Sequence, residues 1–206
     1  MAHLLTEAEA ATVAEHVAQA ERGTAGEIVV VLAERSDGYE RHRTAASFTA
    51  TLLAALALYT FVPSLPELWV LCAEAPIMLL FWWLSGLAVV TRVLVPGPAQ
   101  HAAVRARAEQ SFIEQGVTET RDRSGVLLFL SEAEHRVELL ADRGIHERVG
   151  AEVWQTLVND VVAAIRGGHA AGGIASAVDA IGARLAQHFP PAPDDTNELP
   201  NEPRRI

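Results

Sequence analysis

Residues 45–62 read AASFTATLLAALALYTFV, and residues 68–90 read LWVLCAEAPIMLLFWWLSGLAVV. A helix needs about 20 mainly apolar residues to cross the roughly 30 Å hydrocarbon core of a bilayer, and both runs come close to that length. Glu74 is the one charged residue in these runs, and Pro63 and Pro66 bracket the turn between them. The pattern predicts a transmembrane helical hairpin over residues 45–95. The alternative is a pair of buried core helices in a soluble protein.

Arginines flank the predicted hairpin, and none lies in its turn. Three precede the first run and three follow the second: Arg35, Arg41, Arg43, Arg92, Arg105 and Arg107. Because basic residues favour the cytoplasmic side of membrane helices, we expect the soluble segments and both termini to face the cytoplasm. The spans would then lie in the cytoplasmic (inner) membrane. The first 44 residues hold no apolar signal segment, so the hairpin itself is expected to direct insertion.

Composition restricts the rest of the chain to one ordinary domain. The chain has 206 residues, of which 50% are hydrophobic and 20% are charged. Its net charge of −10 and its 16 basic residues argue against nucleic acid as a partner, since binding to phosphates needs clustered lysine and arginine. The single cysteine, Cys72, lies in the second apolar run and excludes both an intramolecular disulfide and a cysteine zinc site.

Three apolar runs predict strands in the soluble part of the chain. They are residues 27–33 (EIVVVLA), 125–130 (GVLLFL) and 136–141 (RVELLA). The first two are continuous, as in strands that are covered on both faces. The short SEAEH linker between the second and third predicts that these two strands form an antiparallel hairpin.

Amphipathic helices are predicted on either side of these strands. The first begins at a capping box formed by Thr6 and Glu9, and further apolar stripes occur over residues 104–113, 153–165 and 174–185. The alternation predicts an α/β fold, a three-layer α/β/α sandwich with a small mixed sheet, interrupted by the hairpin. Residues 1–44 and 96–189 would form its two parts. Residues 190–206, which are rich in proline and charge, are predicted to be a disordered tail.

Four short motifs occur in the order GTAGEIVVV (residues 23–31), GVLLFL (125–130), RVELLADRGI (136–145) and the glycine-rich GGHAAGGI (167–174). This order resembles the TPM domain family, in particular its bacterial membrane members with a transmembrane insertion. The resemblance covers roughly residues 5–188 with the hairpin removed. It implies an α/β/α sandwich in a family that includes an acid phosphatase and several proteins that bind divalent cations.

The resemblance directs attention to the turn after the third predicted strand. Many members carry a glycine, a hydrophobic residue and a glutamate there, whereas this chain has Gly144, Ile145 and then His146. Oxygen and nitrogen ligands from Asp142, His146 and Glu147 would suit a divalent cation such as calcium or magnesium. The alternative is a solvated helix start that Asp142 caps.

Two functions remain open at this stage. In the first, the chain is a membrane-anchored interaction or assembly module with a TPM-like domain, which binds the lipid bilayer and another membrane or cytoplasmic protein. Alternatively, it is a divalent-metal-dependent phosphatase-like hydrolase. In the second case the candidate catalytic residues are Asp142, Arg143 and His146, with Arg143 or Arg123 orienting phosphate. The sequence contains no nucleophile elbow and no glycine-rich phosphate loop, so the hydrolase rests on the resemblance.

Overall fold

The computed structural model describes residues 4–146, 148, 151–191 and 196–206. The chain divides into two compact units. Met1–Ser36 and Ala103–Ile206 form the first, here called the sandwich unit, and Asp37–Ala102 form the second, the hairpin unit. The hairpin unit is thus an insertion between the first strand of the sandwich unit and the rest of it.

Helices and strands are numbered in chain order. The helices are α1 (Glu7–Glu21), α2 (Glu40–Phe61), α3 (Glu67–Leu84), α4 (Ala88–Leu94), α5 (Gly97–Glu114), α6 (Arg143–His146), α7 (Ala151–Arg166) and α8 (Ala170–His188). A short 3-10 turn covers Val117–Glu119. The strands are β1 (Glu27–Ala33), β2 (Gly125–Ser131), β3 (Arg136–Ala141) and β4 (Arg204–Arg205).

The four strands form one mixed sheet in the order β3-β2-β1-β4. β1 is parallel to β2, with Glu27 opposite Gly125, and β2 is antiparallel to β3, with Val126 opposite Ala141. All residues of β1 and β2 are buried, which confirms that these continuous apolar runs are covered on both faces. The predicted hairpin of β2 and β3 is also confirmed.

Two apolar layers cover the two faces of the sheet. Ile28, Val30 and Leu32 of β1 point into a core with α1, α7 and α8. Val29 and Val31 point the other way, into a smaller core with Val104 and other residues of α5. Alternate residues of one strand therefore belong to different layers, as the pleat requires. The predicted three-layer α/β/α sandwich with a small mixed sheet is confirmed.

Helix α1 begins at the predicted capping box. The Thr6 hydroxyl accepts from the backbone N–H of Glu9, and the Glu9 carboxylate accepts from the backbone N–H of Thr6 at 2.7 Å and from its hydroxyl at 2.8 Å. Both hydrogen bonds to the carboxylate lower the pKa of Glu9, and the bond from the Thr6 backbone N–H has a larger effect than the bond from its hydroxyl. The box therefore holds Glu9 in its charged form at the positive end of the helix dipole.

The prediction of a disordered tail from residue 190 onward is wrong for residues 196–206, here called the tail segment. β4 pairs in parallel with β1, with Arg204 opposite Val31 and Arg205 opposite Leu32. Leu199 packs against the smaller core. The sequence reasoning treated the segment as having nothing to bury, and it overlooked the unpaired edge of β1 that a short strand can cover.

The hairpin unit is built from α2 and α3, which run antiparallel around a turn at Pro63–Pro66. Both are long and apolar enough to cross a membrane. The second helix ends at Leu84, with Ser85 as its C-cap, and does not continue to the end of the apolar run at Val90. A Cβ at Gly86 would lie 2.6 Å from the Arg43 guanidinium. The chain then continues into the separate short helix α4.

Arg43 joins the first turn of α2 to the end of α3. Its guanidinium lies 4.3 Å from the centre of the Trp82 ring, and it donates to the Trp82 carbonyl at 3.1 Å. It also reaches the Ser85 hydroxyl at 3.5 Å. A cation over an aromatic face, reinforced by hydrogen bonds, fixes how the two helices meet at this end of the hairpin.

Candidate functional site

Asp142 follows β3 and is buried, with 9% of its surface exposed. One carboxylate oxygen accepts from the backbone N–H of Arg143 at 2.7 Å, and the Asp142 carbonyl accepts from the N–H of Ile145. Asp142 thus contacts the backbone at the start of α6 through both its side chain and its carbonyl. Its second oxygen, Oδ2, has no hydrogen-bond partner among the described residues and lies 3.9 Å from the Arg123 guanidinium.

The turn at Asp122 and Arg123 packs directly on Gly144. A Cβ at Gly144 would lie 2.8 Å from the Arg123 carbonyl oxygen and 2.9 Å from that of Asp122. Only a glycine allows this approach, and it brings Arg123 over the end of β3. Arg123 itself has a positive φ of 53°. The glycine of the family motif therefore has a structural reason in this chain.

The remaining predicted site residues are only partly placed. Arg143 is exposed at the start of α6. His146 ends α6, but its side chain lies outside the described part of the chain, and Glu147 lies outside it entirely. Among the described residues, no three or more histidine, cysteine, aspartate or glutamate side chains lie together in a group that could hold a metal ion. The metal set of Asp142, His146 and Glu147 stays a prediction.

A second buried carboxylate, Glu27, lies at the same end of the sheet. Glu27 is 6% exposed. Its carboxylate accepts from the backbone N–H groups of Glu198 at 3.0 Å and Leu199 at 3.3 Å. Glu27 and Asp142 are separated by β2, because Glu27 pairs with Gly125, whose carbonyl accepts from the Asp142 N–H. Two strand spacings place their backbones about 10 Å apart.

A third polar cluster, at the opposite end of β1 and β2, was missed by the sequence reasoning. The Ser131 hydroxyl donates to the buried Glu134 carboxylate, and the Ser36 hydroxyl lies 2.7 Å from that of Ser131. The backbone N–H of Ser36 also points to the Glu134 carboxylate, at 3.3 Å. The signal that could have found it is the polar sequence directly after each of two parallel strands, since such ends meet at one edge.

The geometry defines the class of protein: an α/β/α domain with a small mixed sheet, polar side chains at both ends of its parallel strands, and an inserted apolar helical hairpin. The TPM domain family matches residues 87–184. The NMR structure of the BA42 protein from the psychrophilic bacterium Bizionia argentinensis is similar, with a TM-score of 0.62 and 20% identity over 98% of this chain and 95% of that chain. No curated protein matches.

Residues 87–184 therefore correspond to a TPM domain. The matched segment runs from α4 into α8 and omits α1 and β1. These two elements precede the hairpin in sequence, yet β1 pairs with β2 along its whole length. The inserted hairpin thus separates two parts of one fold in the sequence. At 20% identity, the likeness to BA42 supports the fold alone.

Proposed function

We propose that the chain is a membrane-anchored protein whose TPM domain binds a protein partner at the cytoplasmic surface of the inner membrane. The observation that carries the proposal is the exposure of apolar side chains on α2 and α3. Only 11% of the apolar window of α2 is buried, and none of that of α3. Core helices of a soluble protein would be buried, whereas exposed apolar patches of this size mark a contact with lipid or protein.

The ends of the hairpin support a bilayer as the contact. At 1.5 Å per residue, the 18 residues of α3 span about 27 Å, close to the hydrocarbon thickness. Trp82 and Trp83 lie at the end where Arg43 holds the helices together, and Tyr59 and Trp69 lie near the turn. Aromatic rings at both ends of an apolar span are typical of the two membrane interfaces.

The arginines favour one orientation. Arg35, Arg41 and Arg43 precede α2 or lie in its first turns, and Arg92 follows α3, whereas the turn carries only the acidic Glu67. This distribution favours a cytoplasmic sandwich unit and an external turn. A domain held at the membrane in this way can bind a cytoplasmic segment of a neighbouring protein, and the edge of β1 already accommodates an extended chain segment.

Single-cysteine labelling tests the anchor and its orientation. In a Cys72→Ser background, Ser64→Cys in the turn should react with a membrane-impermeant maleimide in spheroplasts. Asp37→Cys, ahead of α2, should react only after lysis and serves as the matched control. Recovery of the chain in the soluble fraction without detergent would refute the anchor. Labelling of Asp37→Cys but not Ser64→Cys in intact spheroplasts would refute the orientation alone.

One observation supports a second candidate function, that of a divalent-metal-dependent phosphatase-like hydrolase. The buried Oδ2 of Asp142 lacks a hydrogen bond among the described residues, and such a group is ordinarily satisfied by an ion or water when not by protein. Asp142, His146 and Glu147 would hold calcium or magnesium, which would polarise a phosphoryl oxygen, and Arg123 or Arg143 would orient the phosphate.

Metal titration distinguishes the two functions. Under the hydrolase proposal, millimolar calcium or magnesium should raise the unfolding midpoint of the detergent-solubilised protein in a concentration-dependent way. Asp142→Ala should abolish this shift, while Asp122→Ala, which changes an exposed aspartate in the neighbouring turn, should retain it. A midpoint that does not respond to either metal would reject the hydrolase.

A further inference from the structure

The tail segment lies along the outer edge of β1 from its first residue to just beyond its last. At the start of β1, the Glu27 carboxylate accepts from the backbone N–H groups of Glu198 and Leu199. At the end of β1, the Ile206 N–H donates to the Leu32 carbonyl, and the Ile206 carbonyl accepts from the Glu34 N–H. Polar groups at the two ends of β1 thus hold the tail segment.

Three side-chain contacts give this groove its preferences. Leu199 packs against the smaller core, close to Gly116. The Glu198 carboxylate accepts from the backbone N–H of Arg121 at 3.1 Å. The Arg205 guanidinium donates to the Leu5 carbonyl at 2.7 Å. The groove therefore fits an acidic residue followed by leucine, and a basic residue six positions after that leucine.

The sandwich core is complete without the tail segment. The larger core contains no tail residue, and the smaller one has only the half-buried Leu199 at its margin. The pairing of β4 with β1 covers only two residue pairs. A strand added to a sheet edge through backbone hydrogen bonds, with side chains in separate pockets, is the usual way in which folded domains bind extended peptides.

We propose that the edge of β1 is a peptide-binding groove and that the tail segment is its tethered occupant, which an extended segment of a partner protein replaces. The partner segment would carry the same pattern as residues 198–205, an acidic residue and leucine followed by a basic strand. The groove is the surface that the partner of the proposed function would bind. The inference rests on that proposed function, because it takes the partner to be a protein.

The tail segment competes with a partner peptide for the groove because it belongs to the same chain. A short linker holds its ligand at an effective concentration of the order of millimolar, so the intact chain should bind a free peptide weakly. Weakening the tail segment at Leu199 should open the groove without touching the residues that line it. Leu199→Asp places a charge among Val29, Val117 and the other apolar residues of the smaller core, so it should displace the segment.

The test uses the full chain in detergent and a fluorescently labelled peptide with residues 196–206. Leu199→Asp should bind the peptide at least tenfold more tightly than the unaltered chain does, as measured by anisotropy. Adding Glu27→Gln should reverse most of the gain, because the amide replaces a charged acceptor of two backbone N–H groups. A peptide with aspartate in place of its own leucine is the matched control and should not bind.

Each other outcome overturns the proposal. Equal binding by the unaltered chain and Leu199→Asp, or no binding by either, would make the tail segment a fixed part of the fold. Binding that Glu27→Gln leaves unchanged would place the peptide elsewhere. A dimer that Leu199→Asp dissociates, seen by light scattering, would make a second copy the occupant in place of a partner protein.

Two provisions keep the test decisive. If Leu199→Asp does not fold, a protease site introduced at residues 192–195 of the full chain allows the tail segment to be cut after folding. Exchange of the cut segment for the labelled peptide then gives the same comparison. Cysteine labelling of the hairpin is independent of these measurements, so failure of the groove and failure of the membrane anchor are distinguishable.

Discussion

Gly172 and Gly173 are adjacent near the start of α8, in the glycine-rich step between α7 and α8, and the structure gives them opposite roles. A Cβ at Gly172 would meet nothing within 4 Å, whereas a Cβ at Gly173 would overlap the Cβ of Ala164 on α7. The two substitutions Gly172→Ala and Gly173→Ala are therefore chemically identical and differ only in what the added methyl group contacts.

The magnitudes follow from two terms. Alanine gains up to about 1 kcal/mol over glycine inside a helix, and this term applies to both positions. At Gly173 the two Cβ atoms must separate to about 3.5–4.0 Å, and because both are fixed to helix backbones, α7 and α8 must move apart. Overpacking of this kind costs about 1–3 kcal/mol. We expect Gly173→Ala to lose about 1 kcal/mol net and Gly172→Ala to gain somewhat less than 1 kcal/mol, so the two variants differ by the overpacking cost of about 2 kcal/mol.

Thermal unfolding followed by circular dichroism in detergent measures the difference. For a domain of this size, about 1 kcal/mol corresponds to about 3–4 °C in Tm, so the two variants should differ by roughly 6–8 °C. The variants should share the same far-ultraviolet spectrum before unfolding. If Gly173→Ala is as stable as Gly172→Ala, the close packing of α8 on α7 at Ala164 is wrong, and so is the structural explanation of the glycine-rich motif.

Three further predictions concern other parts of the chain. Hydrogen bonds from Thr6 lower the pKa of Glu9, so the charged carboxylate should stabilise the folded state fully above the ordinary glutamate pKa of ~4.3. This stabilisation should be lost as the pH falls through the lowered pKa, and Tm measured across that pH range tests it. Ser131→Ala should cost about 1–3 kcal/mol in chemical denaturation, because the buried Glu134 carboxylate loses a donor. Arg43→Ala should lower the thermal stability of the detergent-solubilised hairpin by about 1 kcal/mol, because its cation–π contact is lost.

Each of these predictions has a matched control. Glu9→Gln retains an acceptor for the Thr6 N–H but cannot titrate, so the difference in Tm between this variant and the unaltered chain should become smaller in acid. A difference in Tm that does not change with pH would contradict the pKa argument. Ser36→Ala changes the half-exposed partner of Ser131 and should cost less than Ser131→Ala. Arg41→Ala removes an exposed arginine two residues from Arg43 and should leave stability unchanged.

The layers of the sandwich could be predicted from sequence because burial repeats regularly along it. Apart from Glu27 and Ser131 at their ends, β1 and β2 contain no polar side chain, and only a strand covered on both faces keeps that composition. The SEAEH linker fixed the antiparallel pairing of β2 with β3, since so short a connection cannot cross the sheet. The capping box at Thr6 was equally local. In each case neighbouring residues carry the whole signal.

The candidate site could be predicted only in part, because its contacts join distant residues. The position of Asp142 after β3 was evident from the sequence, but the approach of Arg123 depends on how its turn packs against Gly144. Likewise, Ser36 and Ser131 meet because β1 and β2 are parallel neighbours. A pattern along the chain contains no register between strands, so it cannot show which polar ends converge.

The tail segment was the largest error, and its cause points to the argument that would have avoided it. Three strands were predicted, and in the observed order β3-β2-β1-β4 the strand β1 would be an edge strand without β4. An exposed, apolar edge strand is a site for pairing with other chains, and folded proteins cover such edges. A cover was therefore required, and the segment containing Leu199 and Ile206 was the remaining unassigned stretch with apolar side chains to supply it. The composition that suggested disorder is equally that of a segment held mainly through its backbone, which is why it can act as a replaceable strand.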